Sequence, residues 1–289
     1  MRGRNMHTRN QQIRLVRKYL GRICIYCVLV IGSIIFITPF AFMILTSLKS
    51  IVQIETMPTK LWPDPVQWRN YVDAFTVQPM GRYFLNSTIV TVLNVLGAVF
   101  SCTLAGWGFS RPHFWGRDVL FFLLLSVMMI PGQVTMIPLY LLYSNLGWID
   151  TYLPLTVPAY FGNAFFVFLV RQFFLTLPKE LTEAAVIDGC SQFGTFRRIA
   201  IPLIKPAVVT VTLFTFMNVW NDFFSPLLYL NSVRKFTVAL GLTAYQAEGF
   251  THWEYLMAAS TVAISPVLIV FLFFQRYFVE GLATTGLKG

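Results

Sequence analysis

Charged side chains are scarce in this sequence, and their scarcity excludes an ordinary water-soluble domain. Of the 289 residues, 12% are Asp, Glu, Lys or Arg and 56% are hydrophobic. The mean hydropathy is +0.64, whereas soluble domains carry about twice this fraction of charge. The composition therefore indicates that a lipid bilayer is the solvent of this chain.

Residue types that commonly carry out catalysis are also few. The three histidines, His7, His113 and His252, all lie outside the apolar runs, so no histidine nucleophile or metal site is expected within a membrane. The sequence contains no G-x-x-x-x-G-K-[ST] segment, which excludes ATP binding through a P-loop. We therefore expect a protein that is not an enzyme and has no cofactor or metal; if ATP drives it, another subunit hydrolyses the nucleotide.

Cysteine is rare as well, with four residues in the chain. Cys24 and Cys27 form a C-x-x-C pair inside the first apolar run, but no second pair and no nearby histidine accompany them. A metal or redox site needs such additional ligands. We expect these thiols to pack within or around a helix.

Basic residues outnumber acidic ones, 22 against 12, which gives a net charge of +10. A nucleic-acid partner would require these charges on one solvated face. They occur instead in short clusters between long uncharged runs, so no nucleic-acid partner is expected.

Six apolar segments separate the charged clusters. Uncharged runs lie between Arg22 and Lys49, Arg82 and Arg111, Asp118 and Asp150, Asp150 and Arg171, and Glu254 and Arg276, and the segment from Ala207 to Leu230 contains one acid, Asp222. About 20 apolar residues span the ~30 Å hydrocarbon core as a helix. The first run is longer than the apolar part of a signal peptide and no small-residue cleavage site ends it. The sequence therefore predicts an all-α, polytopic membrane protein with six transmembrane helices, the first of them retained.

The basic residues also predict the orientation. On this topology only six of the 22 lie on the outer side: Lys49, Lys60, Arg69, Arg82, Arg234 and Lys235. Because basic residues concentrate on the cytoplasmic side of membrane proteins, both termini are expected in the cytoplasm.

One inner connection, residues 176–206, is too long and too regular for a simple loop. Leu181, Ala184, Ala185 and Ile187 recur at helical spacing. Pro178 suits the first turn of a helix, and Asp188-Gly189 suits its end, because glycine accepts a left-handed cap. A second short helix is expected from about Ser191 to Ile199, ended by Pro202.

These residues resemble the EAA signature of the permeases of binding-protein-dependent ABC importers. The match consists of Glu183-Ala184-Ala185, Asp188, Gly189, Phe196 and Pro202. Supporting matches are Asn86-Ser87, Ile137-Pro138-Leu139, Trp220-Asn221-Asp222 with Pro226, and Gln275-Arg276-Tyr277-Phe278. Together they resemble the carbohydrate-uptake branch, similar to the smaller permease of the maltose transporter or the glycerol-phosphate permease.

The resemblance implies a coupling role for the loop and a set of partners. The two short helices would insert into a groove of an ATPase subunit; Ala184 and Ala185 would allow close approach, Gly189 would make the bend, and Phe196 would anchor in an apolar pocket. Glu183 and Asp188 would pair with basic groups of the ATPase or cap local helices. The expected partners are a second related permease, an ABC ATPase dimer, an extracytoplasmic solute-binding protein and membrane lipid. The location would be the bacterial cytoplasmic membrane, and the solute a sugar, an oligosaccharide or glycerol phosphate.

The expected organisation follows from these assignments. A basic cytoplasmic arm is predicted at 1–22, a first transmembrane helix at 23–48, an extracytoplasmic loop at 49–82, a permease core of five transmembrane helices at 83–280 including the coupling loop, and a cytoplasmic tail at 281–289. A self-sufficient, ion-coupled secondary transporter is the alternative. It would normally show several intramembrane charges or an internal repeat, and neither is visible.

The fifth apolar segment supplies candidates for the solute path. In the predicted fifth helix, polar residues at i, i+3 and i+4 spacings share one face: Thr215, Asn218, Asn221, Asp222 and Ser225. That face either lines the path or packs against the partner permease, and Asp222 could instead belong to an outer gate or act as a structural cap. Asn94 and Asn163 are weaker path candidates, and a helix break is expected at Pro131-Gly132 before Gln133.

The tryptophans near predicted helix ends are expected at the membrane interface: Trp107, Trp115, Trp148, Trp220 and Trp253.

Overall fold

The computed structural model describes the backbone of residues 2–56, 60–247 and 250–286, and the side chains of Tyr19 and of residues 21–56, 60–246 and 250–275. Met1 and the last three residues of the predicted tail lie outside the described residues. The side chains of most of the predicted basic arm, of Arg276-Tyr277-Phe278 and of the tail also lie outside them.

The described chain is helical almost throughout. Its α-helices are Arg2–Ser47, Ile51–Glu55, Arg69–Val77, Met80–Ser110, Arg117–Ser126, Gly132–Asn145, Leu153–Thr156, Ala164–Thr176, Lys179–Ile187, Gln192–Thr195, Ile201–Leu203, Lys205–Trp220, Phe224–Tyr229, Val238–Gly241 and Trp253–Gly286. Short 3₁₀ turns lie at Val127–Met129, Val157–Phe161, Val233–Lys235 and Leu242–Tyr245, and a π turn lies at Phe196–Ala200. The strands Gln246–Ala247 and Phe250–Thr251 pair antiparallel, with Gln246 opposite Thr251. The all-α prediction is confirmed.

Among the described residues, four helical segments are long and apolar enough to cross a membrane. We call them the first span (Gly21–Ser47), the second span (Met80–Ser110), the fourth span (Leu153–Thr176) and the sixth span (Trp253–Gln275). Two bent pairs also qualify: Arg117–Met129 with Gly132–Asn145, bent by 99°, and Gln192–Leu203 with Lys205–Trp220, bent by 77°. Counting each bent pair as one span gives up to six by length and composition, the number that the sequence predicts, although the second pair begins within the predicted inner connection 176–206.

The third apolar segment breaks where the Pro131-Gly132 pair predicts a break. The first helix of the pair ends in a 3₁₀ turn at Met129, and Ile130 is extended. A residue before proline is pushed out of the helical region by the proline ring, and Pro131 then opens the next helix with ψ 133°. Gln133, just inside that helix, is exposed.

The fifth apolar segment is not one continuous helix, contrary to expectation. Its helix ends at Trp220, and a separate helix runs over Phe224–Tyr229. Pro226 provides the physical reason, because within a continuous helix its ring would clash with the carbonyl of Asp222, four residues earlier. Asn221 and Asp222 therefore lie in a break, and the predicted polar face does not continue through them.

The chain divides into two compact units, Met1–Val72 with His252–Thr261, and Asp73–Thr251 with Val262–Gly289. In the second unit, the second span packs against the fourth span and the helix Lys205–Trp220. The approach is close: a Cβ at Gly97 would lie 2.8 Å from the Tyr160 ring, and one at Gly106 would lie 2.9 Å from Val170. The second span is therefore the helix around which this unit packs.

Buried polar side chains of the second span bind backbone groups outside regular helices. The Asn86 amide donates to the carbonyls of Arg234 and Phe236 at 3.0 and 2.9 Å, and Ser87 Oγ accepts from the amide of Val238 at 2.8 Å. Further along the span, Ser101 Oγ donates to the Ala159 carbonyl at 2.9 Å. These bonds satisfy backbone groups that would otherwise be unpaired, which is costly away from water.

Two of the five tryptophans expected near the membrane interface are buried within the chain. Trp107 and Trp220 are 5% and 6% exposed. Trp107 packs on Phe174 and Phe196 with ring centroids 5.3 and 5.9 Å away. Trp220 Nε1 donates to the Ala263 carbonyl at 3.1 Å, so its one polar group is satisfied internally. Both are core residues.

A carboxylate clamp joins the turn before the fourth span to the chain after Tyr229. Asp150 Oδ1 accepts from the amides of Asn231 and Ser232 at 3.0 and 2.8 Å, and Oδ2 accepts from Ser232 Oγ at 2.6 Å and Lys235 Nζ at 2.9 Å. These donors hold the pKa of Asp150 well below its usual range. Asp150 itself has a positive φ of 58°, which aspartate tolerates better than most residues.

We predict that Asp150→Asn lowers the free energy of unfolding by about 1–3 kcal/mol, because charge-assisted hydrogen bonds become neutral or are lost. Since the pKa is lowered on folding, the wild-type contribution is present above the ordinary carboxyl pKa of about 4 and is lost as the pH falls below it. Thermal unfolding in detergent at neutral and acidic pH measures both effects.

Asp118→Asn is the matched control, because Asp118 pairs with its neighbour Arg117 and its side chain is 76% exposed. We expect it to leave the unfolding temperature unchanged. An Asp150→Asn chain that unfolds at the wild-type temperature would show that the clamp contributes nothing.

Candidate functional site

The segment between the fourth span and Lys205 forms two short helices, as the sequence predicts. The first, Lys179–Ile187, follows Pro178 and ends at Asp188, after which Gly189 has φ +82°. That left-handed conformation favours glycine. The second begins after Ser191, whose Oγ accepts from the amide of Gly194 at 3.1 Å. We call residues 176–206 the two-helix loop.

Phe196 lies in an apolar pocket, but its own chain forms that pocket. It is 8% exposed and packs against Trp107 of the second span and Phe174 of the fourth, with ring centroids 5.9 and 6.4 Å away. Phe196 is therefore not available to insert into another subunit. The aromatic cluster instead ties the two-helix loop to two spans.

Ala185 also faces its own chain. It is 4% exposed, and its carbonyl accepts from the amide of Cys190 at 2.9 Å, whereas Ala184 is exposed. The resemblance implies that a partner approaches closely at both alanines. In the structure Ala185 is covered by its own chain, and Ala184 is the alanine that a partner can reach.

Pro202 does not end the second helix of the loop. The chain continues as a π turn over Phe196–Ala200 and a helical turn over Ile201–Leu203, and bends by 77° before Lys205. Pro202 lacks the amide that would bond to the Arg198 carbonyl, and the wider π turn lies directly before it. The bend falls at Ile204, two residues after the predicted stop.

The two-helix loop exposes several apolar side chains. Ile187 is 85% exposed and Phe193 is 61% exposed, and Leu181 and Val186 are about half exposed. Helical spacing predicted a helix through Leu181 and Ile187, but it contains no information about what covers these side chains. Large exposed apolar groups of this kind mark a candidate interaction surface.

A cleft of about 600 Å³ separates the two-helix loop from the end of the second span. Its charged lining consists of Arg111, Arg117, Lys179 and Glu183. Arg111 donates to the carbonyls of Phe174 and Leu177 at 2.8 and 2.6 Å, which satisfies the last turn of the fourth span. Glu183 and Asp188 are exposed and are therefore accessible to a partner.

The weaker path candidates are both engaged in local structure. Asn94 is 8% exposed, and its amide donates to the carbonyls of Val90 and Leu155, both at 2.8 Å. Asn163 caps the helix Ala164–Thr176, its Oδ1 accepting from the amide of Phe166 at 3.2 Å. Among the described residues, no hydrogen bond joins Asn94 or Asn163 to the polar groups of the fifth segment.

The candidates of the fifth segment lie at the end of its helix. Asn218 and Asn221 are exposed, and the Asn221 amide donates to the Met217 carbonyl at 2.7 Å. Asp222 Oδ1 accepts from the amide of Ser225 at 3.0 Å and so caps the helix Phe224–Tyr229. Thr215 is 6% exposed, and its Oγ1 has no partner among the described residues.

Comparison with known proteins assigns a family to this arrangement. The chain is 34% identical to the probable ABC transporter permease protein YurM of Bacillus subtilis, over 94% of this chain and 90% of YurM. It is 35% identical to the arabinooligosaccharides transport system permease protein AraQ of the same organism, over 89% of this chain and 92% of AraQ.

The fold has a solved counterpart. A chain of a bacterial ABC transporter involved in the import of the acidic polysaccharide alginate superposes with a TM-score of 0.80 at 23% identity, over 90% of this chain and 96% of that chain. Residues 97–284 match the family described as binding-protein-dependent transport system inner membrane component. This chain therefore belongs to that family and is a multi-pass membrane protein, the permease subunit of an ABC importer.

Proposed function

We propose that this chain moves a sugar or a related solute through the bacterial cytoplasmic membrane, with both of its termini in the cytoplasm. An extracytoplasmic binding protein would deliver the solute, and a separate ABC ATPase would hydrolyse ATP. The names of two similar proteins support the solute class, since one carries arabinooligosaccharides and the other alginate. The family description supports the need for a binding protein and opposes a self-sufficient, ion-coupled transporter.

The observation that carries this proposal is the exposed apolar surface of the two-helix loop. Ile187 and Phe193 would remain in contact with water unless another protein covered them. An ATPase dimer is the partner that the family implies for this position. Exposed Glu183 and Asp188 would pair with basic groups at the rim of that contact, and Ala184 would allow close approach of the helix backbone.

The buried side of the loop would transmit the movement of the ATPase. Phe196 joins the loop to Trp107 and Phe174, and Arg111 joins the ends of the second and fourth spans. A loop that is packed in this way moves with its helices as a rigid body. Gly189 would allow the bend between the two short helices, since its φ of +82° is costly for other residues.

A second, related permease would complete the path. The first span has a mean hydropathy of 2.6, and none of its most apolar window is buried within this chain. Lipid and a neighbouring permease are the two environments that such a surface fits. Asn218, Asn221 and Asp222 are proposed to face the solute path between the two permeases.

The first experiment is a crosslink that tests both the partner and the orientation. Ile187→Cys, in a chain lacking Cys24, Cys27, Cys102 and Cys190, should join to the ATPase in membranes through a thiol-to-amine reagent, and the yield should change with ATP. Lys60→Cys is the control: it is exposed, lies in the proposed extracytoplasmic loop and should give no ATPase product. A stably inserted Ile187→Cys chain without such a product would contradict the docking surface.

Phe193 and Phe196 provide a matched pair that separates docking from folding. We predict that Phe193→Ala weakens assembly with the ATPase about tenfold, as expected for an aromatic contact at an interface, and lowers the free energy of unfolding by no more than about 1 kcal/mol, because it removes one ring contact with Phe196 at 5.8 Å. Phe196→Ala should lower the free energy of unfolding by about 3–5 kcal/mol, because it empties part of an aromatic cluster. Copurification of the ATPase and thermal unfolding report the two effects, and equal effects of both substitutions would refute the assignment.

Asp222→Asn tests the solute path. Asparagine is as good a helix cap as aspartate, so the substitution removes the charge and preserves the cap on Phe224–Tyr229. We predict an altered KM for uptake, with normal amounts of protein in the membrane. Asn94→Ala, which removes buried hydrogen bonds, should instead lower stability by about 1–3 kcal/mol. If the Asp222→Asn chain showed wild-type uptake kinetics, Asp222 would act only as a structural cap.

A further inference from the structure

Lys49 is buried in a way that is unusual for a lysine. It lies two residues after the first span and is 1% exposed, although a lysine at the end of a span ordinarily extends its ammonium into water. Lysine is almost never fully buried without a partner. Within the part of the chain that the structure describes, its ammonium has the Phe42 ring, with the centroid at 5.8 Å, and no carboxylate.

The backbone around Lys49 is fixed on both sides. The Asn70 amide donates to the carbonyls of Ser47 and Lys49, both at 2.8 Å. On the other side, Ser50 and Gln53 form a reciprocal capping box at the start of the helix Ile51–Glu55. The burial of Lys49 is therefore built into the local structure and does not result from a mobile side chain.

Lys49 lines a pocket of about 250 Å³ within the first unit. The pocket lies between the end of the first span and the beginning of the sixth, and its lining consists of Phe42, Thr46, Lys49, Ile54, Trp253 and Met257. Thr46 is 4% exposed, and its Oγ1 has no hydrogen-bond partner among the described residues. Two polar residues, one of them a cation, thus belong to the lining of a small space whose walls are otherwise mainly apolar.

The occupant must satisfy a cation and a hydroxyl donor and must also contact aromatic rings. Among the described residues Glu254 forms no ion pair with Lys49, and its Oε1 lies 3.3 Å from His252 Nδ1. The position also limits the choice, because a residue just beyond the end of a span lies at the depth of lipid headgroups. A phosphate meets each requirement, because it is an anion with several acceptor oxygens.

We propose that this pocket binds the headgroup of an anionic phospholipid. Lys49 and Thr46 would donate to the phosphate oxygens, and Phe42 and Trp253 would contact the glycerol and the first methylene groups. Charge complementarity carries the choice of occupant: the pocket offers a buried cation that forms no ion pair with a described residue, and the phosphate of an anionic headgroup would supply the counter-charge. The bound lipid would tie the end of the first span to the start of the sixth.

The test compares two lipids with the same acyl chains on the assembled importer. The complex is purified, stripped of lipid, and examined by native mass spectrometry with dioleoyl-phosphatidylglycerol or dioleoyl-phosphatidylcholine. We expect the wild type to retain phosphatidylglycerol preferentially, and Lys49→Gln to lose about tenfold in its retention with no change for phosphatidylcholine. Lys60→Gln is the matched control, because Lys60 is an exposed lysine of the same connection, and it should behave as the wild type.

A second variant keeps the test decisive if Lys49→Gln fails to assemble. Thr46→Val preserves the shape and the charge of the pocket, and it should weaken phosphatidylglycerol retention about two- to fivefold. Equal retention by Lys49→Gln or by Thr46→Val and the wild type would overturn the proposal. Displacement of the lipid by millimolar inorganic phosphate would assign the pocket to a free anion, and displacement by the solute-binding protein would assign it to an acidic side chain of that protein; either result also overturns it.

Discussion

The structure depends on one constraint, which is that a bilayer offers no water to backbone groups that lack a partner. The chain breaks its helices at Ile130, at Gly162-Asn163 and after Trp220, and each break frees amides and carbonyls. Side chains satisfy several of them: Asn94 binds the Leu155 carbonyl, and Asp222 binds the amide of Ser225. Asn94 and Asp222, which the sequence suggests as solute-path residues, thus stabilise the helix breaks by bonding to their free backbone groups.

The same constraint explains the central place of the second span. It is an unbroken helix of 31 residues, and it carries small and polar side chains on its buried face. Gly97 and Gly106 allow Tyr160 and Val170 to approach, while Asn86 and Ser101 bind irregular backbone. Because Trp107 at its far end packs on Phe196, the helix that supports the breaks also holds the two-helix loop, and displacement of the loop reaches the irregular segments through one rigid element.

The sequence predicts features that depend on local chemistry. Hydrophobic length located the six segments, Pro131-Gly132 located a break, and Asp188-Gly189 located the end of a helix. Prediction from the sequence failed where a side chain's environment depends on residues that are distant in the chain. Helical spacing could not show that Phe196 packs against Trp107, or that Ile187 has nothing over it. The continuous fifth helix was wrong for a local reason, since Pro226 conflicts with the carbonyl of Asp222 and hydropathy does not register that clash.

A side chain whose polarity does not match its surroundings indicates where this chain binds a partner. Ile187 and Phe193 are largely exposed apolar groups, and Lys49 is a buried charge that forms no ion pair with a described residue. Burial of the first pair would release water from apolar surface, whereas occupation of the Lys49 pocket would supply an anion to a desolvated ammonium. The two sites therefore call for partners of opposite chemistry, a protein groove for the two-helix loop and a lipid phosphate for the end of the first span. Since the loop is packed on the second and fourth spans and the pocket belongs to the first unit, the two contacts act on different parts of the chain.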